Sequence, residues 1–511
     1  MKNTISYIKN LFSKSLLIIE KIGNSLPHPA TLFAILAVLV MIISAISSYW
    51  EVQAIHPSDG SVIKVTNLLS GDGLRWIYTN IFKNFVEFPP LGIVLTAMIG
   101  IGIAEGTGLL SVLIKALVLV APKKLITATI IFTGVMSHTA SEAGYVILIP
   151  LSALVFLTLG RHPLAGLAAA FAGVSGGFGA NFLIGSIDPV LAGLSQSAAQ
   201  IINPDIHLNP AINFYFMFAS GILIVILGTW VTEKIVEPRL GKYDGDVTAP
   251  KLEQITPTEK KGLIWAGISS LITIIVLLLL VLPDGALLRN PSTNSIIKSP
   301  FLDGMITAVM IFFFVPGIAY GIAVKNIKND HDAVKHIIKF FSSMAGYIVL
   351  VFFAAQFVYF FRHSNLGIIL AIEGADFLKS LGLTGIALIV GFVILSAFIN
   401  MFMGSASAKW AIMAPVFVPM FMLLGYHPAL TQVAFRIGDS VTNVITPMMS
   451  YFALIVTFAE KYKSTYGIGT IISTMLPYTV FFLIGWLILL IIWMITGIPL
   501  GPEGYLFYND K

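Results

Sequence analysis

Two stretches decide how this chain folds: "IPLSALVFLTLGRHPLAG" from Ile149 to Gly166, and "APVFVPMFMLLGYHPALT" from Ala414 to Thr431. At an offset of 265 residues, Pro150 meets Pro415 and Gly160-x-His162-Pro163 meets Gly425-x-His427-Pro428. A little further on, Gly173-x-Ser175 meets Gly438-x-Ser440. Each copy reads as an apolar hairpin, a G-x-H-P turn and then a broken helix. Five membrane spans separate the copies, and an odd number turns the second copy over in the bilayer. Inverted-topology repeats characterise secondary transporters, whose sites lie near the midplane where interrupted helices expose backbone groups.

Composition agrees with a membrane setting. Of 511 residues, 57% are hydrophobic and 11% are charged, against about 25% charged in an average soluble domain. Apolar runs of roughly 20 residues recur, each long enough to cross a ~30 Å hydrocarbon core as a helix; barrel strands would be shorter and would alternate. The chain contains no cysteine, which excludes disulfides, thiolate metal sites and thiol nucleophiles. A net charge of +5 calls for no nucleic-acid partner, because basic residues collect in the cytoplasmic loops of membrane proteins. The first apolar run follows a basic leader too long for a signal peptide and reads as a span.

The expected fold is an all-α polytopic membrane protein with about nine transmembrane helices and two re-entrant hairpins, built from an inverted-topology repeat. Spans are expected near 27–49, 90–120, 163–202, 210–235, 262–282, 301–323, 338–361, 428–460 and 471–497, with hairpins near 124–159 and 383–424. Residues 1–26 form a cytoplasmic N-terminal segment and 27–236 the first membrane half. A Pro/Gly-bearing cytoplasmic linker occupies 237–261, the second half 262–498, and a C-terminal tail 499–511. Residues 51–88 and 283–300 read as outer loops. With the N-terminus inside, nineteen of the 30 Lys and Arg fall in inner segments and seven in outer ones, as the positive-inside rule requires.

Breaks are legible at "SGGFGANFLIGSIDP" (Ser175–Pro189) and "TNVITPMMS" (Thr442–Ser450), and the hairpin tips are small and polar at "MSHTASEAG" and "INMFMGSASAKW". Non-helical backbone at membrane depth survives only where protein or a water-filled cavity covers it. Arg436, Asp439 and Asn443 are spaced i, i+3 and i+7 and share one helix face. Ionisable residues inside a span point to function, although an Arg–Asp pair that merely locks packing is the plainer alternative. A guanidinium suits two-pronged capture of a carboxylate, and an aspartate beside asparagines supplies hard oxygens for Na⁺ or a proton site. Asn400 ends the inward arm of the second hairpin, within reach of Asp439 and Asn443. Ser407 and Trp410 lie on the return arm. Trp410 either faces a ring-bearing substrate or packs, and Lys409 either contacts substrate or points into a crevice. In the first copy Asp188, just before Pro189, is the strongest candidate, beside His138, Glu142 and Asn181. His138 and Glu142 lack an H-E-x-x-H context, so no catalytic zinc is expected. Glu105 beside Gly106 marks a helix break, and Glu373 and Asp376 an outer amphipathic segment.

"SHTASEAGYVILIPL", "GANFLIGSIDPVLAG", "GSASAKWAIMAPVFVPM" and "FRIGDSVTNVITPMMSYFALI" resemble the AbgT family of p-aminobenzoyl-glutamate transporters over nearly the whole chain. That resemblance implies a dimeric protein of the bacterial inner membrane with nine spans and two hairpins. It implies ion-gradient-driven import of the folate breakdown product p-aminobenzoyl-glutamate, or export of sulfonamide-like antimetabolites, with Na⁺ or H⁺ as coupling ion and no cofactor. Its functional positions match Asp188, Ser407, Trp410, Pro428, Arg436, Asp439 and Pro447, and its sodium site matches Asn400, Asp439 and Asn443. A di- or tricarboxylate symporter of the same superfamily is the alternative. An intramembrane enzyme is a more remote one, since neither Ser407 nor Ser440 has a credible histidine partner in sequence, and a channel is disfavoured by the broken repeats. On this reading Arg436→Ala and Trp410→Ala abolish uptake of p-aminobenzoyl-glutamate in a protein that still inserts; normal uptake by either variant removes that residue from the site.

Overall fold

The computed structural model describes residues 27–55, 60–140, 144–245, 247, 254–296 and 299–508. The expected N-terminal segment 1–26 and Glu142 lie outside the described residues. Among the described residues, eight helices are long and apolar enough to cross a membrane: Pro29–Tyr49, Gly71–Gly106, Phe214–Leu240, Pro257–Val281, Met305–Ala323, Ala345–His363, Ala406–Leu423 and Ile468–Thr496. Leu366–Ser380 and Gly385–Asn400, bent by 118° at their junction, make a ninth if taken together. Proline opens helices at Pro29, Pro89 and Pro257, where its missing N–H is one that no helix could satisfy. Thr256 and Glu259 add a reciprocal capping box, so the last turn of the expected linker is already helix.

The spans differ from the sequence expectation in instructive places. Residues 71–86, read as outer loop, are a helix capped by Ser70; its mixed polar and apolar residues fit a helix that buries only Gly73 and Asn84. The expected span 90–120 is broken after Gly106, and Leu109–Leu119 restarts behind Gly108, whose φ is +89°. The start of the expected span 338–361 belongs instead to an amphipathic helix, Asp330–Ser343. The expected spans 163–202 and 428–460 are each two short helices. The first comprises Pro163–Phe171 and Ile187–Ala199, and the second Pro428–Asn443 and Phe452–Glu460. Glu373 and Asp376 are exposed on Leu366–Ser380, as expected.

The two copies share their local physics. Gly160 (φ +72°) and Gly425 (φ +90°) both end a helix in the left-handed region, which costs glycine nothing. His162 and His427 then cap the next helix, each Nδ1 accepting from the backbone two residues on, and Pro163 and Pro428 open it. In the first hairpin, Ile126–Met136 and Ile149–Thr158 have 11 and 10 residues, about 16 Å of helix each, too short to span. In both copies the first hairpin arm packs on the helix after the turn, and a glycine permits it. A Cβ on Gly173 would strike Ile131, and one on Gly438 would strike Val393. The C-terminal tail is no loose end: His427 donates from its backbone to Leu506 and Tyr508 to Gly425, so the tail straps the second turn.

Burial inverts the pattern of a soluble protein. Every residue of Pro428–Asn443 is buried, as is every residue of Pro163–Phe171. Ile264, Leu271 and Leu279 on Pro257–Val281 are exposed. The interrupted helices therefore form the centre, and continuous apolar helices surround them. If Gly438 is required by close approach, Gly438→Ala lowers stability by about 1–3 kcal/mol through overpacking. Gly391→Ala, with nothing within 4 Å of its Cβ, leaves stability unchanged or raises it. Thermal melts of both variants in one detergent check this.

Candidate functional site at the two helix breaks

The Arg436 helix, Pro428–Asn443, carries four polar side chains on one stripe, Gln432, Arg436, Asp439 and Asn443, all buried. Spacings of four, three and four residues keep them on one face. Opposite lies the Asp188 helix, Ile187–Ala199, which starts where the first copy's break ends. Arg436 Nη1 donates to Asp188 Oδ1 at 2.6 Å, and both side chains are almost fully buried. Asp188 Oδ2 accepts from the backbone of Gly185 at 2.6 Å and from Asn181 at 3.4 Å. The carboxylate is thus held by its own break and offered to the other copy. Arg436 Nε and Nη2 are buried with no hydrogen-bond partner among the described residues. Those two groups form one edge of the guanidinium, the edge that grips a carboxylate with two parallel bonds.

A second ion pair lies about one turn further along. Lys409 Nζ contacts Asp439 Oδ1 and donates to Asn400 Oδ1, and all three side chains are buried. Asn400 Nδ2 lies within hydrogen-bonding distance of the Asp439 carbonyl (2.6 Å), Thr442 Oγ1 (2.8 Å) and Asn443 Oδ1 (2.8 Å). Asn443 Nδ2 reaches Asp439 Oδ2 at 3.4 Å. Asn400, Asp439 and Asn443 therefore meet, as the sequence suggests. The cation among them is the lysine ammonium, contributed by the Ala406–Leu423 helix that Ser405 caps.

Trp410 is fully buried and lies against Phe435, ring centroids 4.5 Å apart and 27° from parallel. Its Nε1 donates to Ser195 at 2.9 Å, Ser195 donates to Gln432 at 2.6 Å, and Gln432 donates to Asn213 at 2.7 Å. This chain of bonds satisfies a seam of polar groups that would each be costly unpaired. Ser407 is half-buried on the hairpin tip, its hydroxyl 3.3 Å from that of Ser405. Pro428 opens the Arg436 helix eight residues before Arg436, about 12 Å along its axis. Pro447 lies in the break beside Thr446, which donates to the Met401 carbonyl. These prolines shape the backbone around the charged groups. His138 is buried edge-on to Phe178 at 5.1 Å, and its Nε2 has no partner among the described residues.

Three features escape the sequence reading. Arg436 pairs across the copies with Asp188, whereas the i, i+3 spacing pointed to Asp439. Gln432 is signalled by its place four residues before Arg436 on the same stripe. Ser195 and Asn213 carry no signal, because Ser195 is one of several polar residues on its helix and Asn213 stands at the cap of the next.

Removing one member of a buried ion pair costs about 3–5 kcal/mol because the other charge is left bare. Asp188→Ala and Arg436→Ala are each expected to lose about that much, and the double variant less than their sum. Unfolding measurements on the cycle check it; additive losses would dissolve the pair. The alanine variant at Arg436 therefore reports on stability as well as on transport.

The chain matches the "AbgT putative transporter family" over residues 14–508. It is 43% identical over 487 residues to the p-aminobenzoyl-glutamate transport protein of Escherichia coli strain K12, covering 95% of this chain and 96% of that protein. Its fold superposes on the crystal structure of the Alcanivorax borkumensis YdaH transporter, described as having an unusual topology. There the TM-score is 0.88 and the identity 45%, over 93% of this chain and 100% of that one. It also superposes on Neisseria gonorrhoeae MtrF, described as illuminating a class of antimetabolite efflux pumps. There the TM-score is 0.90 and the identity 49%, over 96% and 99% of the two chains.

Proposed function

This chain belongs to the AbgT family of transporters, and from that membership we propose that it carries p-aminobenzoyl-glutamate across the bacterial inner membrane by ion-driven alternating access. The observation that carries the proposal is the buried two-donor edge of Arg436, held in place by Asp188 on its third nitrogen. p-Aminobenzoyl-glutamate is an aromatic amide with two carboxylates. Arg436 takes one carboxylate, Trp410 with Phe435 walls the ring, and Ser407 at the half-exposed hairpin tip takes the amide or amine. Asp188 acts by orienting the guanidinium. Pro428 opens the Arg436 helix and Pro447 lies in the break that follows it, so that these groups converge. The coupling ion, Na⁺ or H⁺, is taken at the Asp439 cluster with Asn400 and Asn443. The working protein is a homodimer with its N-terminus in the cytoplasm, consistent with its distribution of Lys and Arg, and it performs no covalent chemistry on its cargo.

A second reading of the same site is export of sulfonamide-type antimetabolites, which share the aminobenzene ring. The 49% identity to MtrF favours it.

Uptake of radiolabelled p-aminobenzoyl-glutamate into proteoliposomes, under an imposed Na⁺ or pH gradient, tests the proposal. Arg436→Lys keeps the charge and the partner of Asp188 but loses the two-donor edge. Each charged hydrogen bond is worth about 1.5–3 kcal/mol, so this variant is expected to cut uptake at least ~10-fold while still folding. No uptake by the folded wild type under either gradient would overturn the import reading and leave efflux of labelled sulfonamide as the next assay.

A further inference from the structure

We infer that Lys409 is a tethered cation: its ammonium holds the position that the coupling cation takes, and it must swing out for that cation to bind. The inference rests on the reading that a cation binds among Asn400, Asp439 and Asn443. It adds a residue that no feature of that reading requires.

Geometry carries the point. The Lys409 ammonium contacts Asp439 Oδ1 and Asn400 Oδ1. These are the oxygens that a hard monovalent cation would use. Asn443 Oδ1 is meanwhile taken by the Asn400 amide, so the cluster is closed around the lysine. A metal cation and an ammonium cannot share two oxygens, because like charges at contact distance repel strongly where little water screens them. Charge balance points the same way. Asp188, Arg436, Lys409 and Asp439 are all buried and sum to zero. An added cation would leave an uncompensated charge, whereas exchanging it for the ammonium keeps the balance. With the ion gone, the returning ammonium prevents Asp439 from crossing the bilayer bare, which would be costly.

The route out is visible. Lys409 itself is 1% exposed, yet the hairpin tip before it, Met401 to Ser407, is partly exposed throughout. A flexible four-carbon stem on the first turn of its helix can turn toward that tip without unwinding the helix. Lysine suits this role better than arginine, whose planar fork would bind both oxygens in a fixed geometry.

The test uses purified full-length protein in detergent, melted across a NaCl titration with choline chloride holding ionic strength constant. Lys409→Gln removes the charge but keeps a donor for Asn400 and Asp439. The variant is expected to be stabilised by Na⁺ at a midpoint at least ten-fold lower than wild type, and adding Asp439→Asn is expected to abolish the response. Equal midpoints in wild type and Lys409→Gln, both lost with Asp439→Asn, would leave the ion site standing and overturn the tethered-cation role. No Na⁺ response in either protein would overturn the sodium reading and this inference with it. Should Lys409→Gln fail to fold, wild type decides. Acetylation of Lys409 by an amine-reactive reagent, read by peptide mass spectrometry, is expected to rise several-fold when NaCl replaces choline chloride, and unchanged labelling would overturn the inference.

Discussion

The ion pair between Asp188 and Arg436 is the constraint around which the centre of this protein is arranged. Neither charge can be left bare at membrane depth, and neither has a partner of opposite sign as close within its own copy of the repeat. Each stands where a helix has been interrupted: Asp188 one residue into the helix that resumes after the first break, and Arg436 two turns before the second. For the two to touch, both breaks must face each other at the middle of the molecule. The surrounding contacts follow from that. Tyr145 of the first hairpin stacks on Tyr451 of the second break, 4.6 Å apart and 8° from parallel. Ser175 of the first break lies 3.3 Å from the sulfur of Met449 in the second.

The second ion pair differs in kind. Lys409 and Asp439 both belong to the second copy, so movement of one copy against the other leaves this pair intact while it strains the Asp188–Arg436 pair. The two pairs lie about a turn apart on the Arg436 helix. On the proposed reading, a cargo at the free edge of Arg436 acts on the contact between copies, and a cation that displaces Lys409 acts within one copy. Coupling between cargo and ion on that reading needs no long path, since Arg436 and Asp439 lie on one wholly buried helix.

Much of this is legible in the sequence. The G-x-H-P turns announce themselves because glycine, histidine and proline each perform a separate backbone task there. The breaks are visible because small residues and prolines interrupt runs that would otherwise be uniformly apolar. Other elements were hidden. The helix from Gly71 to Val86 is hard to see because its mixed polar and apolar residues fall short of an apolar span. The strap formed by the C-terminal tail shows no periodicity, since its bonds run to the distant Gly425 turn. Gln432 was within reach of a stricter reading, because the stripe of the Arg436 helix extends one turn toward its start.

Local chemistry in the chain determined that this is a polytopic helical membrane protein, and that Arg436, Asp439, Asn443 and Asn400 sit where interrupted helices expose polar groups. Helical spacing and turn residues act over a few positions, so they can be read in order along the chain. Only the tertiary structure decided which charge meets which. Arg436 finds Asp188 some 248 residues away, and Asp439 finds Lys409 on the neighbouring hairpin arm. Pairing of buried charges minimises the energy of the whole assembled centre, and no window of sequence contains all its members.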